Sequence, residues 1–439
     1  MQHTENAKLK VLALGDYGCS TGFATVMSNI MRELDKTGRF EIDVVGINYT
    51  GDPYDQKKFP GKVWPAMNIA TAFSGDVYGR QRYLDFLGSG NYDIAFILQD
   101  TFIVKDMMDA ILETQKNILK KFKTILYFPI DASPKKEWVD DVVAKIDYPV
   151  AYTNYAKGEC QKIDPKTDME VIYHGTNLKD FNYLTNRDEV KKFRHNYWGG
   201  KAERFLITNV NRNQSRKDII RNFMILNELK RRGRKAAMYL HMSHDDQGGN
   251  ILVMADHFNL KLGEDFMLPS PKFFNSNQGL PIDILNYIYN ASDCLLSTTL
   301  GEGWGLSITE AMATKTPVVA PDNTSLTEML ADNRGYLVKA GANPSMWIMK
   351  ELDNERLRPL MDVEDAADKI EMIMDGKKPD IEGAYKWAQG NSWANICKQW
   401  TKIFEKAGLD ARTEDQKMNN RAERRRRELA ERKLAKKGA

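Results

Sequence analysis

The sequence is short of the features that mark whole classes of protein. Its 439 residues contain only four cysteines, Cys19, Cys160, Cys294 and Cys397. Their scatter supplies neither a metal-ligand spacing nor a disulfide framework, and those in apolar segments read as buried free thiols. No stretch approaches the roughly 18 uninterrupted apolar residues of a spanning helix. The start, Met-Gln-His-Thr-Glu-Asn-Ala-Lys, lacks an apolar leader core, which argues for an intracellular, cytoplasmic protein. His241 and His244 stand three apart, but Asp245-Asp246 follow in a glycine-rich loop and no third ligand presents itself, so no metal is expected. The glycine-bearing loop Gly18 to Gly22 has neither the Lys-Ser/Thr ending of a P-loop nor the spacing of a dinucleotide fingerprint.

What is present fits a soluble globular protein: 42% hydrophobic and 28% charged residues. The length exceeds one ordinary core, so two domains are expected. Charge is uneven. From Arg421 to Ala439 nine Lys and Arg face three Glu, a local +6 within a formal total of +3, which leaves the remainder at −3. This tail is a strong helix former with Glu423/Arg427 and Glu428/Arg432 at i, i+4. It reads either as a solvated extension, helical or disordered, or as a contact for a polyanion such as DNA through 421–437.

Short apolar runs alternate with amphipathic helices. Lys8 to Leu14, Glu41 to Ile47, Ala95 to Leu98, Thr124 to Phe128 and Tyr148 to Tyr152 read as strands, and the pattern resumes at Phe205 to Val210. Such alternation implies α/β domains with parallel sheets covered on both faces. The boundary falls between Thr176 and Lys201. Ligands of such sheets bind outside the carboxyl ends of the strands, so two facing sheets imply a cleft site.

The densest chemistry lies in Thr299-Leu-Gly-Glu-Gly-Trp-Gly-Leu-Ser-Ile-Thr-Glu-Ala-Met-Ala-Thr-Lys-Thr-Pro-Val-Val-Ala320. A strand, Cys294-Leu-Leu296, aims at a glycine-broken loop, and a helix begins near Leu306 with Glu310 in its second turn. Unpaired N–H groups at a helix start, beside the positive dipole end, suit a phosphate. Glu302 and Glu310 flank that point and suit neutral hydroxyls on either side of it. Eight helical residues rise roughly 12 Å, comparable to a sugar-to-ribose span across a diphosphate. The expected ligand is a nucleotide-sugar, against the plainer reading of a solvated turn with surface acids.

The whole block resembles the Glu-Gly-Phe-Gly-Leu…Glu-Ala-Met-Ala…Pro-Val-Val signature of retaining glycosyltransferases of family 4, which have the GT-B fold. Trp304 stands where the pattern usually has Phe, and Lys315 where a small residue or Gly is common. The resemblance implies two Rossmann-like, doubly wound domains facing a cleft: 1–180 on the acceptor side and 200–385 for the nucleotide-sugar. It also implies a Ser-Trp helix, 386–407, that crosses back to the first domain, ahead of the basic tail, 408–439. The implied activity is transfer of a hexosyl or pentosyl group from a UDP- or GDP-type sugar to a hydroxyl acceptor: glycan, small molecule, protein or hydroxylated base in DNA. The donor is a substrate, and no cofactor or metal is expected. Rival readings are a nucleotide-sugar epimerase or sugar phosphorylase of this fold, and a nucleic-acid-binding protein using the tail.

Carried onto this chain, the resemblance gives Glu302 the sugar hydroxyls and Glu310 the ribose. The backbone of Gly303, Trp304, Gly305 and Leu306 contacts sugar and phosphate, and Arg212 with Lys217 clamps the diphosphate. Asn211 and Asp218 replace the glycines usual beside that pair, and Arg216 is an alternative clamp. Gly22 is the position carried over in the first loop, where a plain tight turn is the other reading. The family often presents a His where this chain has Asp131, so Asp131 is the candidate for the acceptor or a sugar hydroxyl, with Asp100 as its rival. His174, in a segment resembling the domain junction, reads as structural.

Overall fold

In the computed structural model, residues 7–67, 75–270, 280–351 and 353–437 are described, with side chains as far as Leu429. Residues 1–6, on which the leader reading rests, and the last two of the tail lie outside them. The first sheet has seven strands: β1 (Leu9–Asp16), β2 (Phe40–Ile47), β3 (Lys62–Pro65), β4 (Ile94–Leu98), β5 (Lys123–Phe128), β6 (Tyr148–Ala151) and β7 (Glu170–Val171). They lie in the order β3-β2-β1-β4-β5-β6-β7, all pairs parallel. Its helices are α1 (Gly22–Lys36), α2 (Arg80–Gly88), α3 (Thr101–Asn117), α4 (Lys136–Asp140) and α5 (Asn154–Ile163).

The two-residue period of β1 sorts its side chains between two cores. Val11 and Ala13 pack with Met27, Ile30 and Leu34 of α1, whereas Leu12 and Leu14 pack with Tyr83 of α2 and Met107 and Ile111 of α3. Both faces are therefore covered, which is why the strands read as continuous apolar runs rather than alternating ones.

After α6 (Arg187–Trp198) the second domain repeats the plan. Its strands are β8 (Phe205–Val210) and β9 (Ala236–His241), a hairpin of β10 (Asp245–Asp246) and β11 (Gly249–Asn250), then β12 (Phe266–Met267), β13 (Cys294–Leu296), β14 (Val318–Pro321) and β15 (Tyr336–Val338). A second hairpin, β16 (Trp347–Met349) and β17 (Leu357–Pro359), follows. The six-stranded sheet is parallel with the order β12-β9-β8-β13-β14-β15. Its helices are α7 (Ile220–Arg231), α8 (Ile251–Asp256), α9 (Ile282–Ala291), α10 (Leu306–Ala313), α11 (Thr324–Met329), α12 (Val363–Met374) and α13 (Ile381–Gly390). The strand order reverses at β1/β4 in one sheet and at β8/β13 in the other. The loops leaving those four strands carry the candidate site.

The last helix, α14 (Trp393–Lys437), runs as one element through the expected boundary at 407/408. Its first half belongs to the first domain. Trp400, fully buried, lies 4.6 Å from the Tyr127 ring and 5.7 Å from that of Phe96, and Phe404 meets Phe40. Gly408 survives within the helix because a Cβ there would run into the Leu9 side chain, so helix and strand touch at that point. Arg412 then bonds the Lys8 carbonyl at 2.7 Å and Asp93 at 3.2 Å, and beyond Asp415 the helix leaves the sheet. Residues 421–429 are exposed; the i, i+4 pair among the described side chains there is Arg424–Glu428 at 2.9 Å, not Glu423/Arg427, and Glu428/Arg432 lies outside them. No helix among the described residues is long and apolar enough to cross a membrane. All four cysteines are free.

Candidate active site

The loop after β13 is held open by its own hydroxyls. Thr299 Oγ1 donates to the Gly301 carbonyl at 3.0 Å, the Glu302 N–H donates to Thr324 Oγ1 at 2.9 Å, and Thr298 Oγ1 donates to the Lys217 carbonyl at 2.9 Å. The last bond, with Leu300 N–H to the Arg216 carbonyl at 2.9 Å, stitches the loop to the turn Ser215–Lys217 that follows β8. Glu302 and Lys217 are thereby buried together as an ion pair, and Arg216 Nη1 reaches the Glu302 carboxylate at 3.2 Å. Burial opposes ionisation of Glu302, but Lys217 and Arg216 outweigh it and hold the carboxyl down at about 2. Burial lowers Lys217 below its ordinary value against the raising pull of Glu302.

The first domain enters the same cluster. Asp131, after β5, accepts from Arg216 Nε at 3.2 Å through one oxygen and from Arg358 of β17 at 3.2 Å through the other. Its carbonyl accepts from Arg358 Nη1 at 2.7 Å. Gly301 has to be glycine here, since a Cβ would collide with that carbonyl oxygen; at Gly303 it would collide with Pro129. Asp100, at the N-terminus of α3, completes the group. Burial, then the neighbouring Asp131, pushes its carboxyl up to about 7.

Two helix starts meet at the cleft. Thr21 caps α1, accepting from Ala24 N–H at 3.1 Å, and donates to Asp16 at 2.7 Å. Gly22, the first residue of α1, faces Leu306, the first of α10: a Cβ on Gly22 would lie 3.7 Å from Leu306 Cδ1. Gly305 starts α10 with φ 122°, a conformation that other residues resist. Four residues into α10, Glu310 accepts from Tyr289 at 2.7 Å; burial pushes its carboxyl up to about 7 against that bond.

The structure thus brings Glu302, Lys217 and Asp131 together and places Gly22, Gly303, Gly305 and Leu306 at the paired helix starts. Trp304 puts its ring between the domains, 5.1 Å from Tyr173 and 5.4 Å from His174, so only its backbone faces the loop's role. Arg212 stands apart. It is bound by Asp246 of the β10–β11 hairpin at 2.8 and 3.1 Å and is half exposed, and Arg216 occupies the position beside Glu302. His174 is buried, with Nδ1 2.6 Å from Tyr127 Oη, and burial depresses its pKa to about 3, so it is a neutral packing residue at the junction. His241 likewise lies 3.2 Å from Tyr239 Oη, and no metal-ligating cluster occurs among the described residues.

Two of the departures from the family pattern, Asp218 and Lys315, keep the backbone that glycine would supply. Asp218 has φ 47°, and its carboxylate is held by Arg221 at 2.8 Å. Lys315 has φ 59°, and its ammonium bonds Glu382 at 2.7 Å and lies over Tyr385. Sequence reasoning missed Arg358 and Glu328. The latter, on α11, accepts from the Asn154 and Tyr155 N–H groups that open α5 and from Tyr173 at 2.8 Å, tying the two domains together.

Residues 278–358 match the family model for glycosyl transferases group 1. A stretch of 99 residues is 33% identical to the trehalose synthases of Thermococcus litoralis and Pyrococcus furiosus, covering 22% of this chain and 23% of each relative. The match thus spans less than a quarter of those proteins. Solved structures resemble the whole. Anabaena HepE in complex with UDP and glucose superposes with a TM-score of 0.65 at 14% identity, over 91% of this chain and 100% of that one. Sucrose-phosphate synthase of Thermosynechococcus elongatus gives 0.66 at 14%, over 91% and 99%. A glycosyltransferase of Rickettsia africae gives 0.66 at 18%, over 91% and 98%. The fold is GT-B, two Rossmann-like domains facing a cleft.

Proposed function

We propose that the chain transfers a sugar from a nucleoside-diphosphate sugar to a hydroxyl acceptor, with retention of anomeric configuration. The observation that carries this reading is the convergence of the α1 and α10 starts beside the buried Lys217–Glu302 pair. Two helix starts, two cations and one carboxylate ionised at neutral pH are what a diphosphate joined to a polyol requires. The group 1 match and a GT-B neighbour solved with UDP and glucose support it.

In this reading Lys217, Arg216 and the helix starts hold the diphosphate and take up charge on the leaving group, where it grows most. Glu302 accepts from sugar hydroxyls, and Glu310 accepts from the ribose. The bond from C1 to the phosphate oxygen breaks while the acceptor oxygen bonds C1 on the same face. The acceptor's proton passes to the departing phosphate, and the nucleoside diphosphate leaves. Asp131 and Asp100 orient the acceptor. Arg212 joins only by leaving Asp246. Mass spectrometry of the full chain with a panel of nucleotide-sugars and hydroxyl acceptors, in EDTA, tests the reading. A glycosylated product supports it. Turnover only with orthophosphate, or epimerised donor alone, assigns one of the rival chemistries.

Glu310 gives a pH signature. Ionised, its carboxylate accepts from ribose more strongly than the neutral acid does, and burial places that ionisation near 7 in the free protein. Affinity for UDP-glucose, whose esterified phosphates do not titrate in this range, is therefore expected to rise with pH through that value, by at most about tenfold per unit below it. Glu310→Gln is expected to flatten the profile in a calorimetric titration from about pH 5.5 to 8. An unchanged slope in that variant assigns the titration elsewhere.

A further inference from the structure

Arg356, just before strand β17, and Arg358 within it both point toward the first domain, and Leu357 between them is exposed. Both arginines are buried, at 9% and 3% exposure. Their circumstances differ. Arg358 is fully engaged by Asp131 and Asp353. The Arg356 guanidinium lies 4.8 Å from the Trp138 ring centroid, and among the described residues no carboxylate or carbonyl accepts a hydrogen bond from it. Burial, then Arg358, lowers its pKa below the ordinary value. The neighbouring cations are already occupied: Lys135 by Glu355, and Lys350 by the Ser215 carbonyl and Asp218.

A guanidinium stacked on an aromatic face keeps its rim of N–H donors free. The Arg356 side chain is nine-tenths buried, yet its nitrogens are not among the buried unpartnered atoms of the described residues; they reach the solvent of the cleft and are open to an anionic ligand. Trp138 also packs against Phe102, 5.6 Å away, two residues beyond Asp100 in the first turn of α3. Both rings are half-buried. The cleft thus carries, on its first-domain side, an aromatic wall, two acids and one unspent cation.

We propose that Arg356 binds the phosphoryl group of a compact phosphorylated sugar acceptor, whose ring lies on the Phe102–Trp138 wall. One unspent guanidinium matches one phosphoryl group, and its burial excludes a polymer whose charges recur along a backbone. The proposal rests on the transfer reaction above and names the acceptor class.

The test is calorimetry on the full chain saturated with UDP, using glucose 6-phosphate, glucose, inorganic phosphate and glucuronate as probes. Glucose 6-phosphate is expected to bind about tenfold or more tightly than the other three. Arg356→Gln is expected to abolish that preference, Arg356→Lys to restore part of it, and both to keep UDP affinity within about twofold, which shows the variants folded. Equal binding of glucose, of inorganic phosphate or of glucuronate overturns the proposal, as does an unaltered preference in Arg356→Gln. Loss of the preference on truncation after Asn420, with Arg356 intact, assigns the anion to the basic tail and also overturns it. Failure of UDP to bind refutes the nucleotide-sugar reading separately, because the comparison of probes between wild type and Arg356→Gln still stands without it.

Discussion

Lys217→Ala is expected to lower turnover of the cognate donor by about 10²–10³-fold, the scale for removing one preorganised group that stabilises developing charge. The loss should fall on kcat more than on KM, since Arg216 and the helix starts still bind the ground state. Stability falls as well, because Glu302, 7% exposed, keeps only Arg216 as a charged partner; breaking a buried pair costs about 3–5 kcal/mol, and the surviving cation places this case at the low end. A double-mutant cycle separates the two effects. Adding Glu302→Gln removes the orphaned charge and is expected to recover stability without recovering turnover. If the double variant turns over normally, the pair is only structural.

The same pair fixes a pH window. The Glu302 carboxyl is held at about 2 in the fold against an ordinary 4.5. Its contribution is present above 4.5 and disappears as pH falls toward 2. Glu302→Gln should therefore blunt acid destabilisation over that interval.

Trp400→Ala is expected to cost about 3–5 kcal/mol, the range for emptying a fully buried aromatic site. Trp400 is packed against Phe404 of its own helix and against Phe96 and Tyr127, on strands whose carboxyl ends lead to Asp100 and Asp131. Urea denaturation followed by circular dichroism measures the shift. Trp400→Phe should cost much less, because the indole Nε1 has no partner to lose. A shift below about 1 kcal/mol for the alanine variant would mean that α14 is not docked on the first sheet.

Much of this arrangement was legible in the sequence. Strands such as Ile94–Leu98 are wholly buried, so their apolar runs are unbroken, and glycines at 301, 303 and 305 mark close approaches that the structure shows. The motifs singled out Glu302 and Lys217, which the fold brings into one buried ion pair. The choice between Arg212 and Arg216 did not, because it depends on how the chain turns after β8 and on Asp246, which lies in another hairpin. Arg358 and Glu328 carry no local signal: each acts on a loop or helix start of the other domain, 227 and 174 residues away. The β16–β17 hairpin was not read because its strands are three residues each, with exposed Trp347, Met349 and Leu357. The tail's continuity with the Ser-Trp helix was missed because Gly408 and the change of composition suggest a break, whereas contact with Leu9 sustains the helix.

The polypeptide passes between the domains twice, and both passages lie side by side. Thr176, leaving the first domain, pairs with Ser392, returning to it; its N–H meets the Asn391 carbonyl at 2.7 Å, and Trp393 fills the space that Gly175 leaves. Two strands pinned along one line form a door with paired hinge pins. A swing of the domains about that line would separate Asp131 from Arg216 and Arg358.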